Sequence, residues 1–69
     1  MEIVAPLTGN VWRILVSEGD MVSAGDTLVI LESMKMEINV DTVFDGTVIK
    51  ILKQEGEMVQ GDEPLIILA

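Results

Sequence analysis

Cysteine and histidine are both missing from this 69-residue chain. Without cysteine there is no disulfide framework, no thiol nucleophile and no thiolate metal site. Without histidine the commonest general base and metal ligand is gone as well. Together the two absences argue against catalysis by this chain alone. Tyrosine is absent too, and one tryptophan and one phenylalanine are the only aromatics. Basic residues are scarce: four Lys and Arg against twelve Asp and Glu give a formal charge of −8. Phosphate neutralisation needs clustered cations, so the composition argues against nucleic acid as a partner, and an anionic membrane surface would repel the chain. No stretch approaches the ~20 apolar residues of a membrane span, so no membrane insertion is expected. Met1–Pro6 lacks the basic region and apolar stretch of a secretory signal. The expectation is a soluble, cytoplasmic protein whose acidity complements a basic partner surface.

What is present is aliphatic. Apolar residues make up 49% of the chain, supplied by Val, Ile, Leu and Met, with six glycines. That balance favours a compact sheet protein over a helical bundle. The length allows one domain, residues 1–69, with one small core.

The chain also repeats itself. Gly9-Asn10-Val11-Trp12-Arg13-Ile14-Leu15 aligns with Gly46-Thr47-Val48-Ile49-Lys50-Ile51-Leu52 at an offset of 37 residues. The same offset matches Glu18-Gly19-Asp20-Met21-Val22 with Glu55-Gly56-Glu57-Met58-Val59. A one-residue slip then brings Gly25-Asp26 onto Gly61-Asp62, and Leu28–Leu31 falls on Leu65–Leu68. Two units are too few for a solenoid, so they read as halves of one sandwich related by an approximate twofold axis. Strands are expected at 2–5, 11–16, 21–22, 27–33, 36–43, 47–53, 58–59 and 64–68, joined by short Gly-containing turns in an antiparallel all-β domain. Gly19, Gly56, Gly25 and Gly61 are the expected positive-φ positions.

At the midpoint of the repeat lies Glu32-Ser33-Met34-Lys35-Met36-Glu37. A two-residue turn at Met34-Lys35 pairs Ser33 with Met36, Glu32 with Glu37, Leu31 with Ile38 and Val29 with Val40. Val29, Leu31, Ile38 and Val40 then share the buried face, since side chains alternate along a strand. Lys35 is left at an exposed tip. Two choices here are poor for stability. Met-Lys is an unusual occupant of a turn that requires positive φ, and Glu32 opposite Glu37 sets like charges face to face. Broken local rules without evident gain point to function. From the pattern alone, an ordinary surface turn with Met34 or Met36 packed on the core edge accounts for these residues equally well.

The motif Glu32–Glu37 resembles the attachment motif of biotinyl domains, the biotin carboxyl carrier proteins of biotin-dependent carboxylases and decarboxylases. Ala5-Pro6-Leu7-Thr8-Gly9, Glu18–Val22, Gly25-Asp26 and Asp45–Val48 are similar to that family as well, nearly end to end. Ser33 stands where many members have Ala. The resemblance implies a flattened barrel, or barrel-sandwich hybrid, of two four-stranded antiparallel sheets with quasi-twofold symmetry. It also implies covalent biotin on Lys35, with Met34 and Met36 as flanking residues and Glu32 and Glu37 on the hairpin rim. Its implied partners are a biotin protein ligase and the biotin carboxylase (or decarboxylase) and carboxyltransferase sites between which a carboxyl group is carried. Excision from a eukaryotic carboxylase would change the expected location to the mitochondrial matrix. No insertion interrupts Val16–Gly19, so the protruding thumb of some acetyl-CoA carboxylase carriers is not expected. Two other readings stay open: a lipoyl carrier of an oxo-acid dehydrogenase complex, which typically shows Asp before the lysine and Ala after it, and a noncatalytic interaction barrel. Finally, the repeat arithmetic makes the two chain ends the twofold mate of the tip, which predicts both ends together on the side opposite Lys35.

Overall fold

The computed structural model describes all 69 residues. Eight strands follow one another: β1 (Glu2–Val4), β2 (Gly9–Ile14), β3 (Met21–Val22), β4 (Thr27–Ser33), β5 (Met36–Asp41), β6 (Gly46–Ile51), β7 (Met58–Val59) and β8 (Pro64–Leu68). They form two four-stranded antiparallel sheets, ordered β1-β8-β6-β3 and β5-β4-β2-β7. Advancing every strand by four positions in chain order converts one sheet into the other. The expected barrel-sandwich of two four-stranded sheets is therefore the observed fold.

Four expected strands differ at their ends. The strand expected at 36–43 stops at Asp41, because the Thr42 hydroxyl accepts from Phe44 N–H at 3.0 Å and donates to Phe44 C=O at 2.9 Å. That local side-chain turn takes the chain out of the ladder after Thr42, whose own backbone still bonds Asp26 C=O and Gly25 N–H. The strand expected at 11–16 begins at Gly9 and ends at Ile14, since Gly9 and Asn10 already pair with Val59 and Met58. The strand expected at 47–53 likewise runs from Gly46 to Ile51, its first residue pairing with Val22. The strand expected at 2–5 ends at Val4, where Ala5 N–H turns to the Glu63 carbonyl.

The repeat governs packing as well as order. Thirteen apolar residues and Thr42 are the buried side chains, and they fall into seven pairs at the 37-residue offset: Ile3/Val40, Ala5/Thr42, Val11/Val48, Val22/Val59, Leu28/Leu65, Val29/Ile66 and Leu31/Leu68. The ladder irregularities obey it too, at Trp12 and Ile49 and again at Leu28 and Leu65. A bulge shifts the side-chain alternation by one. Leu28 and Val29 are consequently both buried in β4, as are Leu65 and Ile66 in β8. Two acids brace the halves reciprocally: Glu55 accepts from Ile14 N–H at 2.9 Å, and Glu18 from Ile51 N–H at 3.1 Å.

One feature of the expected alignment is corrected. The slip at Gly25-Asp26 does not exist in space. Asp26 caps Ser23 N–H at 2.9 Å, and its mate is Glu63, which caps Gln60 N–H at 2.8 Å. The positive φ of Gly25 (96°) is matched by Asp62 (69°), and Gly61 is not a positive-φ residue. Aspartate tolerates the left-handed region better than most side chains, so the turn keeps its geometry with the glycine one position early.

The chain ends meet. The Met1 ammonium donates to the Leu68 carbonyl at 2.7 Å, and Ala69 N–H donates to Thr47 C=O at 2.9 Å. Both ends therefore adjoin the start of β6. Residues 42–45 connect that point to the end of β5, and β5 runs about 17 Å from its first residue at ~3.4 Å per residue. The termini and the β4–β5 tip lie on opposite sides of a molecule 31 Å in its longest dimension.

Candidate functional site

Strands β4 and β5 pair Ser33 with Met36, Glu32 with Glu37, Leu31 with Ile38 and Val29 with Val40, the register expected from alternation. Val29, Leu31 and Val40 are buried and Ile38 packs against them, while Glu32, Glu37, Asn39 and Asp41 are exposed. A slip of one residue would bury the acids, so the core under the hairpin fixes what stands at its tip.

Met34 and Lys35 make the turn, with φ of 53° and 63°. Positive φ at both central positions is the type I′ geometry that matches strand twist. Neither residue suits it: left-handed backbone costs an ordinary L-residue roughly 1–2 kcal/mol. The core-edge alternative for the methionines fails on exposure, since Met34 is 92% and Met36 64% exposed. Two apolar side chains thus stand in solvent on either side of an exposed lysine.

The four basic side chains are not equivalent. Lys53 is held by Glu63 at 2.8 Å, the one ion pair of the molecule. Arg13 lies over the Trp12 ring, 5.2 Å from its centroid. Lys50 sits within β6, paired with Ile67. Lys35 is the one that occupies a turn, and like Arg13 and Lys50 it has no acidic partner. The candidate site therefore consists of Lys35 Nζ, flanked by the Met34 and Met36 thioethers and set above the opposed Glu32 and Glu37. Such an amine, projecting clear of the fold, fits a group attached through an amide and carried on a long arm.

A further residue at this end was not singled out from sequence. Gly9, at the start of β2, lies so close beneath the hairpin that a Cβ there would fall 2.8 Å from the Glu32 carbonyl oxygen and 3.3 Å from Ser33 Cβ. Its place in the repeat was readable, but the close approach was not.

Comparison with known proteins bears on the fold and the family. The biotin/lipoyl family model, described as "Biotin-requiring enzyme", matches residues 1–68. The chain is 64% identical over 36 residues to the methylmalonyl-CoA carboxyltransferase 1.3S subunit of Propionibacterium freudenreichii subsp. shermanii, covering 52% of this chain and 29% of that protein. It is 51% identical over 39 residues to the biotinylated protein TB7.3 homolog of Mycobacterium leprae (strain TN), covering 56% and 55% respectively. Among solved structures, the urea carboxylase of Kluyveromyces lactis superposes with a TM-score of 0.93 and 33% identity, over 100% of this chain and 6% of that one. A single-chain, multi-domain long-chain acyl-CoA carboxylase gives a TM-score of 0.90 and 30% identity, over 96% and 7%. The chain thus spans from 29% to about half of the length of these two curated relatives. Matched along almost its whole length in both sequence and fold, the chain belongs to the biotinyl/lipoyl attachment family, among its biotin carboxyl carrier domains.

Proposed function

We propose that residues 1–69 act as one biotin carboxyl carrier domain, with Lys35 as the residue that carries biotin. The observation behind this reading is the unpartnered Lys35 in a positive-φ turn, between two exposed methionines. Bound through an amide at Lys35 Nζ, biotin would supply a ureido nitrogen able to carry a carboxyl group between two sites. The chain's own residues do the rest. Leu31 and Ile38, packed under the turn, hold the amine out. The Lys35 amine attacks the biotin carboxyl that the ligase has activated as biotinyl-AMP, so the amide forms as AMP leaves, and the ligase takes up the proton that the nitrogen loses. Met34 and Met36 offer adaptable, polarizable surface to that ligase and to the partner sites. Glu32 and Glu37 form a rim for basic groups on the same partners.

The partners on this reading are a biotin protein ligase and the biotin carboxylase (or decarboxylase) and carboxyltransferase sites of the parent enzyme. Tethering at the pole away from Lys35 would leave the arm free to visit both sites at high effective concentration. No helix is long and apolar enough to cross a membrane, and the location proposed is the cytoplasm, or the mitochondrial matrix within a eukaryotic carboxylase.

The test is intact mass and peptide mapping after incubation with biotin ligase, biotin and ATP. One biotin on Lys35 is expected, and none on Lys35→Arg. Label on Lys50 or Lys53, or labelling that survives Lys35→Arg, would overturn the assignment. Modification by lipoate ligase in preference to biotin ligase would move the domain to the lipoyl class.

A further inference from the structure

We infer that Gly9 is a positioning residue for Lys35, and that it is glycine because the hairpin rests on its bare backbone. The inference builds on the carrier reading above. Gly9 has no positive φ, so conformational freedom is not the reason for a glycine there. Space is the reason. Gly9 is buried, and an added Cβ would meet the Glu32 carbonyl oxygen at 2.8 Å, Ser33 Cβ at 3.3 Å and the Glu32 carbonyl carbon at 3.4 Å. Two of these three atoms are backbone, and all belong to the last residues before the turn. They cannot rotate out of the way as a side-chain end could. Asn10, the next residue, is paired with Glu32, and Gly9 itself is paired with Val59 on its other side. The start of β2 is thereby fixed from one edge while the hairpin lies against the other. A methyl group at position 9 has to lever Glu32 and Ser33 outward, and the tip carries Lys35 with it.

The fold contains its own control. Gly46 is the twofold mate of Gly9, and a Cβ there would fall 2.5 Å from the Ala69 carbonyl oxygen. The clash is of the same kind and at least as close, but it lies at the terminal pole, far from Lys35. Gly9→Ala and Gly46→Ala therefore impose clashes of the same kind on the scaffold, the second against the last residue of the chain, and only the first tilts the tip. This distinguishes positioning from mere stability.

The experiment uses the full chain in wild-type, Gly9→Ala and Gly46→Ala forms, each below its unfolding transition. Two rates are compared, biotin ligase with biotin and ATP and acylation of Lys35 by a small amine-reactive ester, with backbone amide shifts by NMR as the structural readout. Gly9→Ala is expected to lower ligase kcat/KM by tenfold or more. Lys35 acylation by the ester should remain within twofold, because the amine is still exposed. Amide shifts at Glu32–Glu37 should move in Gly9→Ala and stay in place in Gly46→Ala, whose ligase rate should remain within twofold of wild type. Unchanged ligase kinetics in folded Gly9→Ala, or an equal loss in Gly46→Ala, would overturn the inference. Should Gly9→Ala not fold, Gly9→Ala and Gly46→Ala are to be compared in a chain stabilised by Met34→Asn and read by the amide shifts alone; unmoved Glu32–Glu37 shifts in Gly9→Ala, or equal movement there in Gly46→Ala, would overturn the inference. Failure of the carrier reading would look different, since wild-type Lys35 itself would then go unlabelled.

Discussion

The two poles of this molecule have one architecture and different endings. At one, β4 and β5 are joined through Met34 and Lys35 with two positive φ angles. At the other, their mates β8 and β1 are joined by no peptide bond, and the Met1 ammonium bonds the Leu68 carbonyl across the gap at 2.7 Å. The core beneath is paired residue for residue, Leu31 under one pole and Leu68 under the other. The scaffold therefore does not need a strained turn to close a pole. On the carrier reading proposed above, the unfavourable Met-Lys turn answers to what is presented there, and the unturned pole shows the same ladder standing without it.

The most severe way to break this comparison is to give the second pole a turn. Two repeats of 37 residues make 74, five more than the 69 present. Extending Ala69 by Ser-Met-Lys-Met-Glu and joining that segment head to tail with Met1 should complete the symmetry and create a second acceptor lysine. Mass spectrometry after biotin ligase treatment should find two biotins per molecule, and one, at the new tip, when Lys35→Arg is added. A cyclised protein that folds but accepts only one biotin would mean the poles differ in more than covalent closure.

The next test deletes the same methyl groups at each pole. Leu31 and Leu68 are 0% and 1% exposed, so Leu31→Ala and Leu68→Ala should each cost about 2–5 kcal/mol, the range for buried leucine truncation. The spread within that range depends on how far the surroundings collapse into the hole. Free ends relax more readily than a closed hairpin, so Leu68→Ala should lie toward the lower end. Denaturant unfolding with an unchanged m-value would measure it, and a larger cost at Leu68 would contradict the idea that the terminal pole is the softer one.

A smaller effect is expected in the turn itself. Met34→Asn places in the left-handed region a residue that tolerates it. It should stabilise the fold by on the order of 0.5 kcal/mol, a fraction of the left-handed penalty, while slowing ligase turnover. A destabilised Met34→Asn protein would show that the methionine contributes packing that its 92% exposure denies.

Much of this was legible in advance because each element carries its own pattern. The alternation of Val29, Leu31, Ile38 and Val40 set the hairpin register, and the Glu-Gly turns announced themselves by composition. The bulges at Leu28 and Leu65 were hidden, since consecutive aliphatic residues such as Leu28-Val29 do not say which of them breaks the alternation. The turn at Asp62 was misread for a related reason: Gly61 drew the alignment toward itself, although Glu63 preserves the cap and Asp62 takes the positive φ. Strand ends at Asp41 and Gly9 depend on a side-chain turn and on a neighbour distant in sequence, which local pattern does not contain. For the candidate site, the lysine and its flanks were readable as a motif, whereas the abutment of Gly9 against Glu32 is a contact in space.

The smallest difference between the halves is electrostatic. The turn capped by Glu63 carries the Lys53 pair at 2.8 Å, whereas its mate, capped by Asp26, has Val16 in the place of Lys53. Glu63 is held below its ordinary value near 4.5, first by the hydrogen bond from Lys53 and then by Gln60 N–H. Lys53 is raised above 10.5, first by its hydrogen bond to Glu63, against a smaller opposing effect of desolvation. A lowered carboxyl contributes stability that is present above its unfolded value and is lost as pH falls through the folded one. A raised lysine contributes stability that is present below 10.5 and is lost as pH rises through its folded value. The pair's contribution should therefore be flat across neutral pH and fade at both extremes. Both side chains are partly exposed, at 23% and 36%, so solvent screening keeps the effect small. Lys53→Met keeps the aliphatic stem and removes the charge. Its melting temperature should fall slightly below wild type at pH 7, and the two should converge as the solution is acidified below the lowered Glu63 value. Added salt should narrow the gap at neutral pH as well. A gap that persists unchanged into strong acid would assign the loss to packing of the stem, and the two turns would then differ in shape rather than in charge.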